Sequence, residues 1–465
     1  MFAHILIGAA LALLPAFALA AAASAEASAQ EIFFPYVIVG ENGKAYARAV
    51  TSNDRCPEIT LDGAAPSAMI MRSVAARVSN RGSAQEVSKG ADFPVFVCET
   101  VLPAGVKKAA VAGASLPVPV AEPQRILFIG DTGCRMKASE DAFQACNDTA
   151  AWPFEAISKQ ASAWRPDLVV HLGDVHYRES PCPTGNAGCT GSPWGYGFDA
   201  WQADFFRPAR ALLESAPWVV VRGNHESCSR AGQGWFRFLD TGAYDSRRSC
   251  DDPALDDQGD FTSPYAVPIA ADTQLIVFDS SKAAGKPYSR NDDAYGRYVA
   301  QLRQVDELSR GKGQSFFLNH HPVLAFGSEK NKGVQPGNTA LLSVMRELHP
   351  ERLFASGINL TLNGHVHTFE AITFKSGHPS VLVSGNAGSA LARPFPAKLS
   401  AADQPVPGAV VDEFSSQGGF GFLTLERADE SWKFTEWDHL GKELVSCELR
   451  GKKMHCVAAT TDSGK

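Results

Sequence analysis

A chain of 465 residues, 45% hydrophobic and 20% charged, has room for two or three domains and a large buried core. Those proportions exclude a disordered or fibrous protein. A formal charge of −7, with no long run of Lys or Arg, excludes the electrostatic footprint of a nucleic-acid-binding surface.

Met1 to Ala25 is almost wholly apolar and is followed by small-x-small sites such as Ala27-Ser28-Ala29, which predicts a secretory signal over residues 1–29. Its first residues offer only His4 and the amino terminus, with no Lys or Arg, so an uncleaved anchor is the competing reading. No later stretch is apolar enough to span a bilayer, and a periplasmic or secreted protein with no membrane span after cleavage is expected. Ten cysteines, an even number, fall in close pairs: Cys56 and Cys98, Cys134 and Cys146, Cys182 and Cys189, Cys228 and Cys250, Cys447 and Cys456. None has zinc-type Cys-x-x-Cys spacing, and in a secreted chain they read as disulfides whose connectivity the sequence leaves open.

Tyr36-Val37-Ile38-Val39, Lys44 to Val50 and Phe93 to Cys98 read as short strands separated by turn residues such as Glu41-Asn42-Gly43. Residues 30–118 are expected to form a small all-β domain, and the Ala/Val/Pro-rich stretch Ala109 to Pro123 a linker. A catalytic domain is expected over 119–440 and a disulfide-closed tail over 441–465.

Five short polar blocks follow the linker: Gly130-Asp131-Thr132-Gly133, Gly173-Asp174-Val175-His176-Tyr177, Gly223-Asn224-His225-Glu226, Asn319-His320-His321-Pro322 and Gly364-His365-Val366-His367. Each follows, with at most two residues between, an apolar run of strand length, from Ile126 to Ile129, Leu168 to Val170, Trp218 to Val221, Phe316 to Leu318 and Leu360 to Leu362. The blocks are therefore expected to gather at one end of one sheet, where α/β proteins place their active sites. Six of the twelve histidines lie in them, and with two Asp, a Tyr and an Asn they make a mixed oxygen and nitrogen donor set suited to first-row transition metals. Taken singly, Asp131 and Asp174 read as caps or turn formers and Tyr177 as a half-buried ring. His171 reads as a core histidine and His176 as a packing residue.

Phe154 to Trp164, Asp199 to Glu214, Arg297 to Ser309 and Thr339 to Leu348 are the helix candidates. In the second, Trp201, Phe205, Ala209 and Leu212 recur at three-to-four spacing, with Asp199 as the expected cap. Two irregular stretches, Pro181 to Trp194 and Ser227 to Phe261, are expected to form a disulfide-stiffened rim around a substrate. Gln274 to Phe278, Ser380 to Val383 and Gly421 to Leu425 are expected to build a second sheet. Strands alternating with helices indicate a layered α/β or α-β-β-α domain.

In this order the five blocks resemble those of the calcineurin-like metallophosphoesterases. Tyr177 three residues after Asp174, and Gly133 rather than His two residues after Asp131, resemble the purple acid phosphatase branch in particular. The resemblance covers Arg125 to Glu370. It implies a four-layer α-β-β-α metallophosphoesterase sandwich preceded by a small all-β sandwich domain. It also implies two metal ions, one held by Asp131, Asp174, Tyr177 and His367, the other by Asp174, Asn224, His320 and His365. Asp174, in the central block, is the natural bridge, because each carboxylate oxygen can take one ion. A phenolate is a hard donor that favours a trivalent ion, so Fe(III) is expected at the Tyr177 site and divalent Fe, Zn or Mn at the other.

Two such ions lower the pKa of bound water to about 7 and clamp the phosphoryl oxygens when held about 3.5 to 4 Å apart. His225 is expected to stabilise developing charge or to protonate the leaving oxygen. The further histidine that the family often carries after its His-x-Pro block has no counterpart between Val323 and Lys332, which leaves His321 or Glu329 as its replacement. Arg135, Arg178, Arg230 and Lys330 lie near the blocks and are candidates either for holding a remote phosphate or for solvated surface.

The expected function is hydrolysis of phosphomonoesters by attack of a metal-bound hydroxide. One alternative is a phosphodiesterase for nucleotide or lipid-derived diesters. Another is a secreted binding protein, acting through its β domain, with an incidental or silent phosphatase domain.

Overall fold

The apolar runs ahead of the five blocks all form strands, but in two sheets rather than one. In this computed structural model residues 32–81, 89–329, 333–396, 398–400, 403–428 and 431–459 are described, together with Met1. The predicted signal beyond Met1, the Glu329 side chain and Lys330 lie outside the described residues. Arg125–Ile129, Leu168–His171 and Trp218–Val220 pair in parallel within an eleven-stranded sheet. Gln314–Asn319 and Ile358–Asn363 pair in parallel within a seven-stranded sheet. An unbroken apolar run marks a strand covered on both faces, and such a strand suits either of two stacked sheets.

Side-chain alternation builds the layers. Ile126 and Phe128 join Phe316, Leu318, Leu360 and Leu362 in a core between the sheets. Leu127 and Ile129 face the other way and pack with Phe154, Ile157 and Ala161 of the helix Phe154–Ala163. On the far side, Ile276 and Phe317 pack with Tyr298 and Leu302 of Asp293–Ser309 and with Leu341 and Met345 of Thr339–Leu348. The result is an α-β-β-α sandwich.

Four local expectations change. The helix expected over Asp199 to Glu214 is broken into Phe198–Trp201, a π-type segment Gln202–Phe206 and Arg210–Ser215, because Pro208 has no amide hydrogen to donate. Gly197 rather than Asp199 occupies its cap position. Gly421–Ala428 pairs with Arg125–Ile129 in the first sheet rather than the second. The expected linker carries a hairpin, Ala109–Val111 with Ala114–Leu116, paired to Glu58–Leu61.

The described residues from Ile32 onward form one compact unit. Phe33–Val39 runs parallel to Trp218–Val220 and leads on to Ala45–Thr51, Phe96–Leu102 and Ile70–Ser73, so the N-terminal strands extend the first sheet. Two buried arginines fix this end to the later chain. Arg48 donates to the carbonyls of Phe238 at 2.7 Å and Asp240 at 2.6 Å, and Arg72 to those of Phe236 and Asp240, both at 2.9 Å. Glu99 accepts from both guanidinium groups.

All five close cysteine pairs are disulfides. No helix among the described residues is long and apolar enough to cross a membrane.

Glu436 is a buried carboxylate whose Oε1, among the described residues, accepts only from the side chain of Asn386, at 2.9 Å. Burial raises its pKa to about 8, against the weaker pull of Asn386. An acid whose folded pKa is raised binds its proton more tightly when folded, so stability is lost as pH climbs from the unfolded value toward 8. Glu436→Gln removes that loss, and is expected to gain on the parent by roughly 2–4 kcal/mol between pH 5 and pH 8. Denaturant titrations of both proteins at the two pH values measure the gain.

Candidate metal centre

The five strand ends converge at one edge of the sandwich, three from the first sheet and two from the second. Asp131, Asp174 and His365 each sit in left-handed backbone, with φ of 56°, 57° and 69°. Such strain costs about 1–3 kcal/mol per residue and collects at functional sites.

All seven residues expected as ligands come together. The Tyr177 hydroxyl lies 2.7 Å from Asp131 Oδ1, 2.9 Å from Asp174 Oδ2 and 2.8 Å from His367 Nε2. His320 Nε2 lies 3.0 Å from the same Asp174 oxygen. Donor atoms of Asp174, His320 and His365 fall within 4.8 Å of one another, the one such trio among the described residues. Asn224 Oδ1, shielded from water, has no hydrogen-bond partner there.

Donors so packed compete for too few protons. Burial alone would lower the pKa of His320, yet the Asp174 and Asp131 carboxylates raise it to about 9. Burial and the same two carboxylates push the Tyr177 phenol well above its usual range. The unpartnered Asn224 oxygen and the anionic cluster are what two bound cations would satisfy, so the residues present fit two metal ions.

Buried carboxylates that sequence reasoning left without a role hold the loops. Glu226 accepts the backbone amides of Asp174 at 3.0 Å, Val175 at 2.9 Å, His176 at 3.1 Å and Gly223 at 3.1 Å. Asp204, in the π-type segment, accepts the amides of Cys134 at 3.0 Å and Tyr177 at 2.8 Å and the Arg178 guanidinium at 2.6 Å. It ties the first block to the second. A Cβ on Gly223 would stand 2.1 Å from Asp174 Oδ1, so only glycine admits the carboxylate there. His171 bonds Thr132 Oγ1 and accepts from the Gly173 amide, as a satisfied core histidine does. His176 packs between Tyr196 and Trp201.

His225 lines the cleft, its ring 3.9 Å from that of Tyr177. Glu179 lies 3.4 Å from its Nδ1, and Arg230, itself bonded to Glu179 at 2.5 Å, lies 2.7 Å from its ring nitrogens. Burial and the Arg230 charge hold the imidazole well below its usual pKa. His321 is buried beside the Ser280 hydroxyl, 3.1 Å away, with its ring 4.3 Å from that of His365.

Of the arginines read as possible phosphate contacts, Arg178 is a buried partner of Asp204 and belongs to the scaffold. Arg230 serves His225 in the same buried fashion. Arg135 faces the cleft, an opening of ≈ 810 Å³ lined also by Asp174, Tyr177, Asn224, His365 and His367. The disulfide loop Cys182–Cys189 does not belong to that lining. Its Cys189, together with Trp194 beyond the loop, packs against Cys134, Met136 and Cys146.

The sequence profile of the calcineurin-like phosphoesterase family matches residues 124–369. No curated protein matches the sequence. Among solved structures, the chain is similar to a purple acid phosphatase from yellow lupin (Lupinus luteus) seeds, with a TM-score of 0.56 and 13% identity over 91% of this chain and 74% of that one. It is also similar to PhoD, with a TM-score of 0.53 and 12% identity over 93% of this chain and 92% of that one. At these identities the likeness is one of fold.

Proposed function

The chain belongs to the calcineurin-like phosphoesterase family, and from that premise we propose that it is a phosphomonoesterase of the purple acid type, with two metal ions in the cluster around Asp174. The observation that carries this reading is the Tyr177 hydroxyl held among Asp131, Asp174 and His367, with the unpartnered Asn224 oxygen in the same cleft.

Asp131, Asp174, Tyr177 and His367 would hold one ion, Fe(III) by the preference of phenolate, and Asp174, Asn224, His320 and His365 a divalent one. When bound, the pair supplies Lewis acidity, activating water and neutralising phosphate charge. Asp174 orients the site through the His225 amide, which donates to its Oδ1 at 2.8 Å. The His225 side chain, braced by Arg230 and Glu179, is placed to donate a hydrogen bond to a phosphoryl or leaving oxygen in the cleft. His321, next in line beyond His365, is the candidate for passing a proton to the departing alcohol. Residues 30–118 take a packing role, through Arg48 and Arg72. Five disulfides suit an oxidising compartment, and with the signal-like N-terminus support a periplasmic or secreted enzyme.

One observation favours the diester reading as a second choice. Beyond Asn224 and His365 the cleft continues into a recess of ≈ 360 Å³ lined by Ser227, Arg230, Ser281, Lys282 and His321, with space for a second ester arm. Assays on chromogenic mono- and diesters across pH, with metal analysis and a visible spectrum of the same sample, separate the two. Faster monoester turnover at acid pH and a tyrosinate-to-iron band are expected. A colourless, two-metal protein that prefers diesters would overturn the purple acid reading.

A further inference from the structure

A short hairpin, Met136–Lys137 with Ala142–Phe143, stands over the Tyr177 side of the cleft. Residues two apart on a strand share a face, so Arg135 and Lys137 both turn to the cleft while Met136 between them is fully buried. The Arg135 guanidinium lies 5.7 Å from the centre of the Tyr177 ring. Both cations meet one carboxylate, Glu140, which Arg135 contacts directly and Lys137 reaches at 2.8 Å. Two positive charges against one negative leave this wall of the cleft with a surplus positive charge.

The hairpin is held from several sides. The Cys134–Cys146 disulfide closes its base, and the Met136 amide donates to the Tyr177 carbonyl at 3.0 Å. The Ala138 amide donates to Ser180 Oγ at 3.0 Å, and the Gln144 side chain donates to the carbonyls of Ala151 at 2.7 Å and Gly388 at 2.9 Å. Cations mounted on so fixed a frame lose little freedom when they bind an anion.

Resting on the phosphatase reading, we propose that Arg135 and Lys137 form an anion subsite, which selects phosphate esters carrying a second negative group beside the scissile phosphate. Arg135, the nearer to Tyr177, meets the phosphoryl group, and Lys137, further along the hairpin, meets the second anion in exchange for Glu140. The shared chemistry is a carboxylate or a further phosphate.

The test compares kcat/KM within two matched pairs, glycerol phosphate against phosphoglycerate and fructose monophosphate against fructose bisphosphate. About a tenfold preference for the second member is expected, the worth of one charge-assisted hydrogen bond. Preference in the first pair identifies carboxylate as an accepted source, and preference in the second identifies phosphate. Lys137→Met is expected to erase the preference. Glu140→Gln, which frees both cations, is expected to enlarge it severalfold, and so tests the subsite even if the first variant folds poorly. Equal rates within both pairs, or a preference that survives in Lys137→Met, would overturn the subsite. Calorimetric binding of phosphoglycerate to the same proteins separates the two readings. Binding weakened by Lys137→Met, with no ester hydrolysed, would sink the hydrolase reading and leave the subsite standing.

Discussion

Asp174→Asn is expected to cost on the order of a thousandfold or more in kcat/KM and to reduce bound metal below two ions per chain. The carboxylate has two jobs at once. Its Oδ1 accepts the His225 amide, and its Oδ2 faces both the Tyr177 hydroxyl and His320. An amide in its place keeps one oxygen, loses the negative charge and turns two hydrogens toward neighbours that also need to donate. The change is nearly isosteric, so the buried loop should stay folded while the cation site fails. His365→Ala is the contrasting case. This side chain stands exposed at the edge of the trio with Asp174 and His320, so its loss should remove one ion and leave the other. Metal content and turnover, measured on both purified variants, check the pair. Full metal content with full turnover in Asp174→Asn would falsify the shared-carboxylate site.

The polar blocks were legible in the sequence because a strand must end before its side chains can reach a common edge, and five apolar runs announced those ends. The residues expected as ligands come together for that reason, although the runs could not say which of two stacked sheets would receive each strand. The helix Thr339–Leu348 was equally plain as an amphipathic run, and in the structure the Asn338 side chain caps it. Asp204 was not. A helical period fitted to Trp201, Phe205, Ala209 and Leu212 treats Asp204 as a polar face residue, whereas the π-type segment ahead of Pro208 leaves it fully buried, pointing at the amides of Tyr177 and Cys134. Arg178 misled for the same reason, since a basic residue next to an expected ligand suggests phosphate until its acidic partner is seen in space. What escapes sequence reading at this site is the layer of buried carboxylates that hold backbone rather than metal. Their partners are amides, which every residue but proline possesses, so no side-chain pattern marks them.

Glu226 is the strongest case in that layer, and Glu226→Ala is expected to lower stability by roughly 3–6 kcal/mol and metal affinity by about 10–100-fold. Its Oε2 takes the amides of Asp174 and Gly223, its Oε1 those of Val175 and His176, and no part of the residue is exposed. Alanine leaves four buried donors without acceptors, each costing about 1–3 kcal/mol unless water enters the gap. The same amides hold Asp174 in its left-handed conformation, which an aspartate leaves readily once released. Stability and metal binding should therefore fall together. Glu226→Gln separates them in degree, because its remaining oxygen keeps two amides while its nitrogen faces the other two. Its losses should lie between those of the parent and the alanine variant. Thermal melts of the metal-free proteins and reconstitution titrations with a divalent ion read the two effects independently. A Glu226→Ala protein that melted with the parent and bound metal as tightly would show that the Asp174 loop keeps its shape without this carboxylate.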